Sequence, residues 1–367
     1  MNNNKRIVIS VSSDLSTDQR VQKTTASLHR AGYRVLLVGR QTKQSLPFHA
    51  PYPFKRFRLL FSKGFLFYAE LNLRLFFFLL VTKTDILLAN DTDTLLPNFW
   101  AAKIRSKQLV FDAHELFPEL PELTHRPLVK AIWQSIEKLV FPHLKNAFTV
   151  CKSIADYYKN RYNLSMGVVR NFPNRKHSDT NERKLFFEGK KIILYQGAVN
   201  VGRGLEWVIE AMPQVENAVL VIIGDGDVLH KLKQTVNEKQ LDKQIIFLGK
   251  ILPAELPAYT RSADLGLCLL ENLGLSYFYS LPNRIFDYMQ AGVPVLASNF
   301  PEIANIVGTH HTGTLISHYE PDYLASVITD MLKNNNPDER KRLIDMSNNF
   351  VWESEEAKLL TIFAGLK

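Results

Sequence analysis

The residues able to do chemistry sit at a few turns marked by glycine or proline. Residues 271–298 run Glu-Asn-Leu-Gly-Leu-Ser-Tyr-Phe-Tyr-Ser-Leu-Pro-Asn-Arg-Ile-Phe-Asp-Tyr-Met-Gln-Ala-Gly-Val-Pro-Val-Leu-Ala-Ser. They predict a short loop that opens a helix at about Pro282, where free backbone N–H groups can hold a phosphate. That helix presents one carboxylate, Asp287, before a Gly-Val-Pro break starts a buried strand. At 195–205, Tyr-Gln-Gly-Ala-Val-Asn-Val-Gly-Arg-Gly-Leu sets a cation, Arg203, behind a glycine turn, and a guanidinium can grip a diphosphate bidentately. Ile-Gly-Asp-Gly-Asp at 223–227 is another strand-to-helix glycine turn, a signal that turn geometry alone can explain.

Two further segments carry titratable groups. Phe-Asp-Ala-His-Glu-Leu-Phe-Pro-Glu at 111–119 places Asp112, His114 and Glu115 at the end of a strand-like run. Such a trio could hold a metal, but neighbouring strand positions face opposite ways, so it converges only if the chain turns there. Asn-Asp-Thr-Asp-Thr-Leu-Leu-Pro at 90–97 follows another strand-like run. Near the N-terminus Asp18 suits a helix N-cap. Arg20 beside it opposes the helix dipole and wants an anion, reading either as a solvated surface arginine or as a substrate contact.

The elements that must position these groups alternate between strand-like and helix-like runs, which argues for parallel sheets with crossover helices. In the first half the strands are Arg6–Val11, Val35–Val38, Asp85–Ala89, Gln108–Asp112 and Ala147–Val150. The helices are Val21–Ala31, Phe65–Thr82, Leu95–Ile104, Leu128–His143 and Ile154–Tyr162. A polar run without apolar periodicity marks a linker at 173–188, between a first Rossmann-like domain (1–172) and a second (189–349). Phe350-Val351-Trp352 introduces a final segment, 350–367, and Asp322–Leu366 reads as helical throughout. Two open parallel sheets bind ligands at their carboxyl edges, and the expected arrangement has those edges facing a cleft.

The 367 residues favour two domains, and 46% hydrophobic with 22% charged content is ordinary for a globular chain. No run of about 18 uninterrupted apolar residues occurs, and Met-Asn-Asn-Asn-Lys-Arg leads into a strand rather than a secretory leader. The two cysteines, Cys151 and Cys268, suggest neither a disulfide framework nor a metal site, and a cytoplasmic setting is expected. The net charge of +9 attracts phosphates, nucleic acid or anionic lipid without choosing among them. In residues 54–83, Lys55, Arg56, Arg58 and Lys63 interleave with aromatics, which suits an anionic membrane surface. Phe65–Leu80 reads as a core helix with Glu70 and Arg74 paired on its wet side.

Taken in order, these motifs resemble the two-domain GT-B glycosyltransferases, specifically the retaining, family 4-like group that builds bacterial polysaccharides. The resemblance implies an α/β fold of two doubly wound Rossmann-like domains with a C-terminal helix crossing back to the first. By it, His114 reaches the donor sugar, Arg203 takes the phosphate-binding place, and Gly197 and Gly224 line the nucleotide side. Lys250 and Ile251 of Phe-Leu-Gly-Lys-Ile lie beside the base. Ser280, Leu281, Pro282 and Asn283 supply phosphate-facing amides, and Asp287 holds ribose hydroxyls.

The chain departs from the family pattern at two points. A family arginine falls on Ala198, and the family's first glutamate, eight residues before Asp287, falls on Tyr279; Glu271 is the candidate to recover that carboxylate. The implied reaction moves a sugar from a UDP- or GDP-linked donor to a glycan or lipid-linked acceptor with retention, without cofactor, metal or nucleic acid, in surface polysaccharide or lipopolysaccharide assembly. Its alternatives are a sugar-nucleotide 2-epimerase, which needs acid–base groups around the sugar, and a non-catalytic sugar-nucleotide-binding partner.

Overall fold

The computed structural model describes residues 4–43, 45–175, 184–334 and 337–366, so the 176–183 part of the predicted linker lies outside the described residues. The chain divides into two compact units, Met1–Asn171 with Trp352–Lys367, and Phe172–Val351.

The first unit contains strands β1 (Arg6–Asp14), β2 (Arg34–Gln41), β3 (Phe54–Arg58), β4 (Ile86–Asn90), β5 (Gln108–Ala113), β6 (Asn146–Thr149) and β7 (Gly167–Val168). Its helices are α1 (Gln19–Arg30), α2 (Gly64–Val81), α3 (Thr92–Ile104), α4 (Pro127–Val140) and α5 (Lys152–Tyr162). The strands form one sheet in the order β3-β2-β1-β4-β5-β6-β7, and every pairing is parallel. Such a sheet needs both faces covered, which is why β4, Ile-Leu-Leu-Ala-Asn, is buried at all five positions. The order reverses between β1 and β4. The carboxyl ends there form the edge at which open α/β sheets take ligands.

The second unit contains β8 (Lys191–Gln196), β9 (Ala218–Ile223), β10 (Ile245–Gly249), β11 (Leu265–Cys268), β12 (Val295–Ser298) and β13 (Gly313–Ile316). Between and after them lie α6 (Leu205–Ala211), α7 (Leu229–Glu238), α8 (Leu256–Thr260), α9 (Leu275–Phe278), α10 (Arg284–Gln290), α11 (Pro301–Val307), α12 (Pro321–Asn334) and α13 (Pro337–Ser347). The parallel order is β10-β9-β8-β11-β12-β13, with the reversal between β8 and β11. These two strands pair only through Leu265 with Ile193 and Gly266 with Leu194. Tyr288 of α10 fills the divergence, with its hydroxyl 2.9 Å from the Leu194 carbonyl and 3.3 Å from that of Leu267. Gly266 is required because a β-carbon there would lie 2.5 Å from the Tyr288 ring.

Several sequence expectations are corrected. The basic run at 54–58 is an edge strand, β3, laid parallel on β2, with Phe57 buried and Lys55 and Arg58 exposed. Strand β13 carries a glycine and a threonine and lacks the apolar run that announced the other strands. The tail is three helices rather than one continuous stretch, with the chain leaving the helical path before α14 (Trp352–Ala364). Helix α10 starts at Arg284, two residues later than expected.

Helix α2 differs most from its expected role in the core. Only Phe67, Leu71, Leu75 and Leu79, one stripe at four-residue spacing, are buried. By length and composition α2 could cross a membrane, with 22% of it buried in the structure. The predicted Arg74–Glu70 pair forms at 2.7 Å, and Glu70 also accepts from the Leu60 and Phe61 N–H groups.

Helix α14 packs on α1 within the first unit. Trp352 is buried, donates its indole N–H to Ser27 Oγ at 2.9 Å, and has Lys23 Nζ 5.2 Å from its ring centre. Replacing Trp352 by alanine is expected to cost about 3–5 kcal/mol through lost burial and a cavity. Denaturant unfolding of Trp352→Ala checks this, and a loss below about 1 kcal/mol would show that α14 contributes little.

Candidate active site

In the first unit the titratable groups gather at the carboxyl edge between β1, β4 and β5. Arg20, 3% exposed, donates to both Asp112 oxygens, Nε to Oδ2 at 3.0 Å and Nη2 to Oδ1 at 2.7 Å, and Nη1 donates to the Val169 carbonyl at 2.8 Å. This bidentate buried pair corrects the reading of Arg20 as a solvated surface residue and leaves its guanidinium committed within the fold. Its second carboxylate oxygen contact continues to His114, whose Nε2 lies 3.2 Å from Asp112 Oδ2 and from Asn90 Oδ1. His114 Nδ1 lies 3.2 Å from Asp91 Oδ2, and the His114 N–H donates to Asp91 Oδ1 at 2.8 Å. Both ring nitrogens therefore face acceptors, as an imidazolium requires. Asp112, His114 and Glu115 do not converge as a trio. His114 meets Asp112 and Asp91 instead.

Asp91 holds this arrangement in a backbone conformation that costs energy, φ 58° and ψ 167° at the N-cap of α3. Its N–H donates to the Asp112 carbonyl at 2.9 Å, and its side chain receives the His114 N–H, so both neighbours fix it. Burial alone would lower the His114 pKa, but the Asp91 and Asp112 charges outweigh it and raise it to about 9. Burial, and then Asp91, push Asp93 up to about 7 and Glu115 up to about 8. Ser12 Oγ donates to Asp93 Oδ2, whereas Asp93 Oδ1 is buried without a partner.

In the second unit the glycine turns define the edge. Gly197 (φ 129°) and Gly224 (φ 145°) end β8 and β9, and a β-carbon on Gly224 would fall 1.8 Å from the Gly197 carbonyl oxygen. No other residue type fits there. Asp287 of α10 accepts from Gln196 Nε2 at 3.1 Å, and Gln196 Oε1 accepts from Thr260 Oγ1 at 2.8 Å, which aims the half-buried carboxylate along the end of β8. Arg203 stacks on the Tyr277 ring with Cζ 4.4 Å from its centre, and its Nε is buried without a hydrogen-bond partner.

The other predicted donor-side residues lie in the loops of this unit. Ser280 Oγ donates to the Tyr277 carbonyl at 2.8 Å, Leu281 and Ile251 pack partly buried on the core, and Pro282 and Asn283 lead into α10. Lys250 is exposed and paired with Asp225 at 3.2 Å. Glu271 turns toward the start of α6. Burial and Glu206 raise its pKa, while Trp207 and the Gly204 N–H draw it down. Among the described residues no three His, Cys, Asp or Glu side chains gather where they could hold a metal.

Sequence reasoning missed Arg284. It is 9% exposed, lies with Cζ 4.5 Å from the Tyr195 ring centre, and its Nη1 has no hydrogen-bond partner. The signal was present: a cation at a helix start, the same feature that singled out Arg20.

Family models for "Glycosyltransferase Family 4" and "Glycosyl transferases group 1" match residues 19–174 and 177–349. The chain belongs to the group 1 glycosyltransferases. Among curated relatives of this glycosyltransferase, the alpha-monoglucosyldiacylglycerol synthase of Streptococcus pneumoniae is 28% identical over 40% of this chain and 32% of that protein. The chitobiosyldiphosphodolichol beta-mannosyltransferase of Candida albicans is 24% identical over 61% of this chain and 53% of that one. The chain thus spans about a third to a half of the curated relatives it matches. Among solved structures, Anabaena HepE in complex with UDP and glucose has a TM-score of 0.76 at 16% identity, covering 99% of this chain and 100% of that one. That likeness shows the GT-B fold, with its two doubly wound parallel-sheet domains.

His114, Asp93 and Glu115 all bind protons more tightly folded than unfolded. The His114 contribution is complete below its unfolded pKa of about 6.5 and is lost as pH rises through about 9; those of Asp93 and Glu115 fade from about pH 4 upward to about 7 and 8. Raising the pH from 6 to 9 should therefore lower the thermal midpoint of the glycosyltransferase, and Asp93→Asn with Glu115→Gln should flatten that slope. Midpoints scanned by pH check it, and parallel slopes would contradict it.

Proposed function

We propose that this glycosyltransferase transfers a sugar, with retention, from a UDP- or GDP-linked donor to a hydroxyl of a glycan or lipid-linked acceptor at the cytoplasmic face of a membrane. The observation that carries the donor side is Arg203, a guanidinium with a buried unpartnered nitrogen behind the glycine turn of β8, on the edge to which Gln196 aims Asp287. Arg203 is half-buried, and a diphosphate would supply the acceptor that its buried Nε lacks. Asp287 holds the ribose hydroxyls. In the step, the bond from the anomeric carbon to the phosphate oxygen breaks, and the acceptor oxygen bonds to the same face. The acceptor proton passes to the departing diphosphate, whose growing charge Arg203 stabilises. No metal or cofactor is assigned to this step. A sugar hydroxyl approaching His114 would compete with Asn90 and Asp112 at Nε2, so His114 acts first by holding Asp91 and Asp112 in place. Membership in the glycosyltransferase family favours transfer over epimerisation.

The acceptor side rests on the outer surface of the first unit. Helices α2, α3 and α4 are neighbours, with Tyr68 and Trp133 in edge contact at 4.9 Å. Their exposed residues include Phe65, Leu66, Leu73 and Phe77 on α2, Trp100 and Ile104 on α3, and Leu128 and Ile132 on α4. Exposed Lys55, Arg58, Lys63 and Lys103 lie on the same elements or beside them. Apolar side chains flanked by cations suit an anionic lipid surface, and lipopolysaccharide or glycolipid assembly is the pathway class that places an acceptor there.

Thermal shifts with UDP and GDP, and with their glucose or mannose conjugates, test the donor site. One nucleotide family should stabilise the wild type, with the shift lost in Arg203→Ala and Asp287→Ala. The absence of any shift, with or without acceptor, would favour a non-catalytic partner. Vesicles of phosphatidylglycerol should float the protein at low salt, and Phe65→Ser with Phe77→Ser should reduce the floated fraction several-fold. Protein left wholly in solution would remove the membrane reading.

A further inference from the structure

We propose that Arg284 is a second cation of the donor-diphosphate site, working with Arg203 and standing in for the cation that Ala198 cannot supply. The proposal rests on the donor-site reading above and adds a residue that the motif comparison did not assign. Arg284 lies at the reversal point of the second sheet. Its Nη2 is 3.1 Å from where a β-carbon on Gly197 would be, one residue before Ala198, so the guanidinium occupies space that a side chain at 197 would need. Tyr195 of β8 stacks against it at 4.5 Å and fixes its plane.

Among the described residues no carboxylate pairs with Arg284 or with Arg203, and each has a buried nitrogen without a partner, Nη1 of Arg284 and Nε of Arg203. At the end of β11, burial pushes the Cys268 thiol up to about 11, and first Arg284, then Arg203, draw it down. Arg20 shows what this fold does with a structural buried arginine, filling its fork with Asp112 and the Val169 carbonyl. Arg284 is also buried, 9% exposed against 3% for Arg20, and its Nη1 is left without a partner. Two guanidiniums of one unit that each keep an unpartnered nitrogen, Arg284 beside Gly197 and Arg203 in the loop that follows β8, fit a ligand carrying two adjacent phosphates better than a monophosphate or a neutral sugar.

Calorimetric titration of wild type, Arg284→Met and Arg284→Lys with uridine, UMP, UDP and inorganic pyrophosphate, and with the guanosine series, tests this. For the wild type, the diphosphate of one base should bind more tightly than its monophosphate and nucleoside. Arg284→Met should weaken that diphosphate about tenfold or more, the loss of a charge-assisted hydrogen bond, while the nucleoside changes by less than about twofold. Pyrophosphate binding that falls in step would trace the effect to the phosphates alone. Unchanged diphosphate affinity, or equal loss for nucleoside and diphosphate, would make Arg284 structural and overturn the proposal while leaving the donor site standing. A wild type that binds neither nucleoside nor diphosphate of either base would remove the donor-site reading itself. Should Arg284→Met fail to fold, Arg284→Lys decides. It keeps the charge without the fork, so the diphosphate-to-nucleoside preference should drop about threefold or more, and an unchanged preference overturns the proposal.

Discussion

A buried positive charge must be neutralised, either by the fold or by a ligand; the fold does so for Arg20, and a ligand is the proposed partner of Arg284. Arg20 is saturated: the two oxygens of Asp112 and one backbone carbonyl use its fork, and His114 and Asp91 extend the charge network. Arg203 and Arg284 are equally well positioned by aromatic faces, Tyr277 and Tyr195, but lack anionic partners. The glycines at 197 and 224 keep side chains out of the space beside them. Divergence of β8 from β11, with Tyr288 filling the gap, creates the place where Arg284 can lie.

The two sheets share a topological rule and differ in what it exposes. Each reverses its strand order once, between β1 and β4 or between β8 and β11, and each gathers its polar side chains at that edge. In the first unit Arg20, Asp112, His114 and Asp91 pair with one another; the two aspartates raise His114, burial and then Asp91 raise Asp93 and Glu115, and Asp112 is held low, which makes the cluster pH-sensitive. In the second, Arg203 and Arg284 each keep a buried nitrogen without a partner. The nucleoside-diphosphate sugar proposed above would satisfy both, and family membership among the group 1 glycosyltransferases supplies the chemistry for which it would be used.

Much of the fold was legible in the sequence because parallel strands buried on both faces read as short apolar runs, as in β4 and β9. Strands β3 and β13 escaped because an edge or partly covered strand does not need such a run; Phe54–Arg58 reads Phe-Lys-Arg-Phe-Arg instead. The glycine turns, and the helix that carries Asp287, were legible because their signals are local in the chain. The partners of Arg20 and His114 were not, since Asp112 lies 92 residues from Arg20 and only strand order brings them together. Arg284 was hidden by its neighbours in the motif. The outer face of α2 was misjudged because composition cannot distinguish an apolar helix buried all round from one buried along a single stripe.

The most direct measurement is a crystal structure with the nucleoside diphosphate that stabilises the protein. The account predicts the diphosphate at the carboxyl edge between β8 and β11, within hydrogen-bond distance of both Arg203 and Arg284, with the ribose on Asp287. A nucleotide seated elsewhere, or one whose phosphates leave both guanidiniums unengaged, would contradict it.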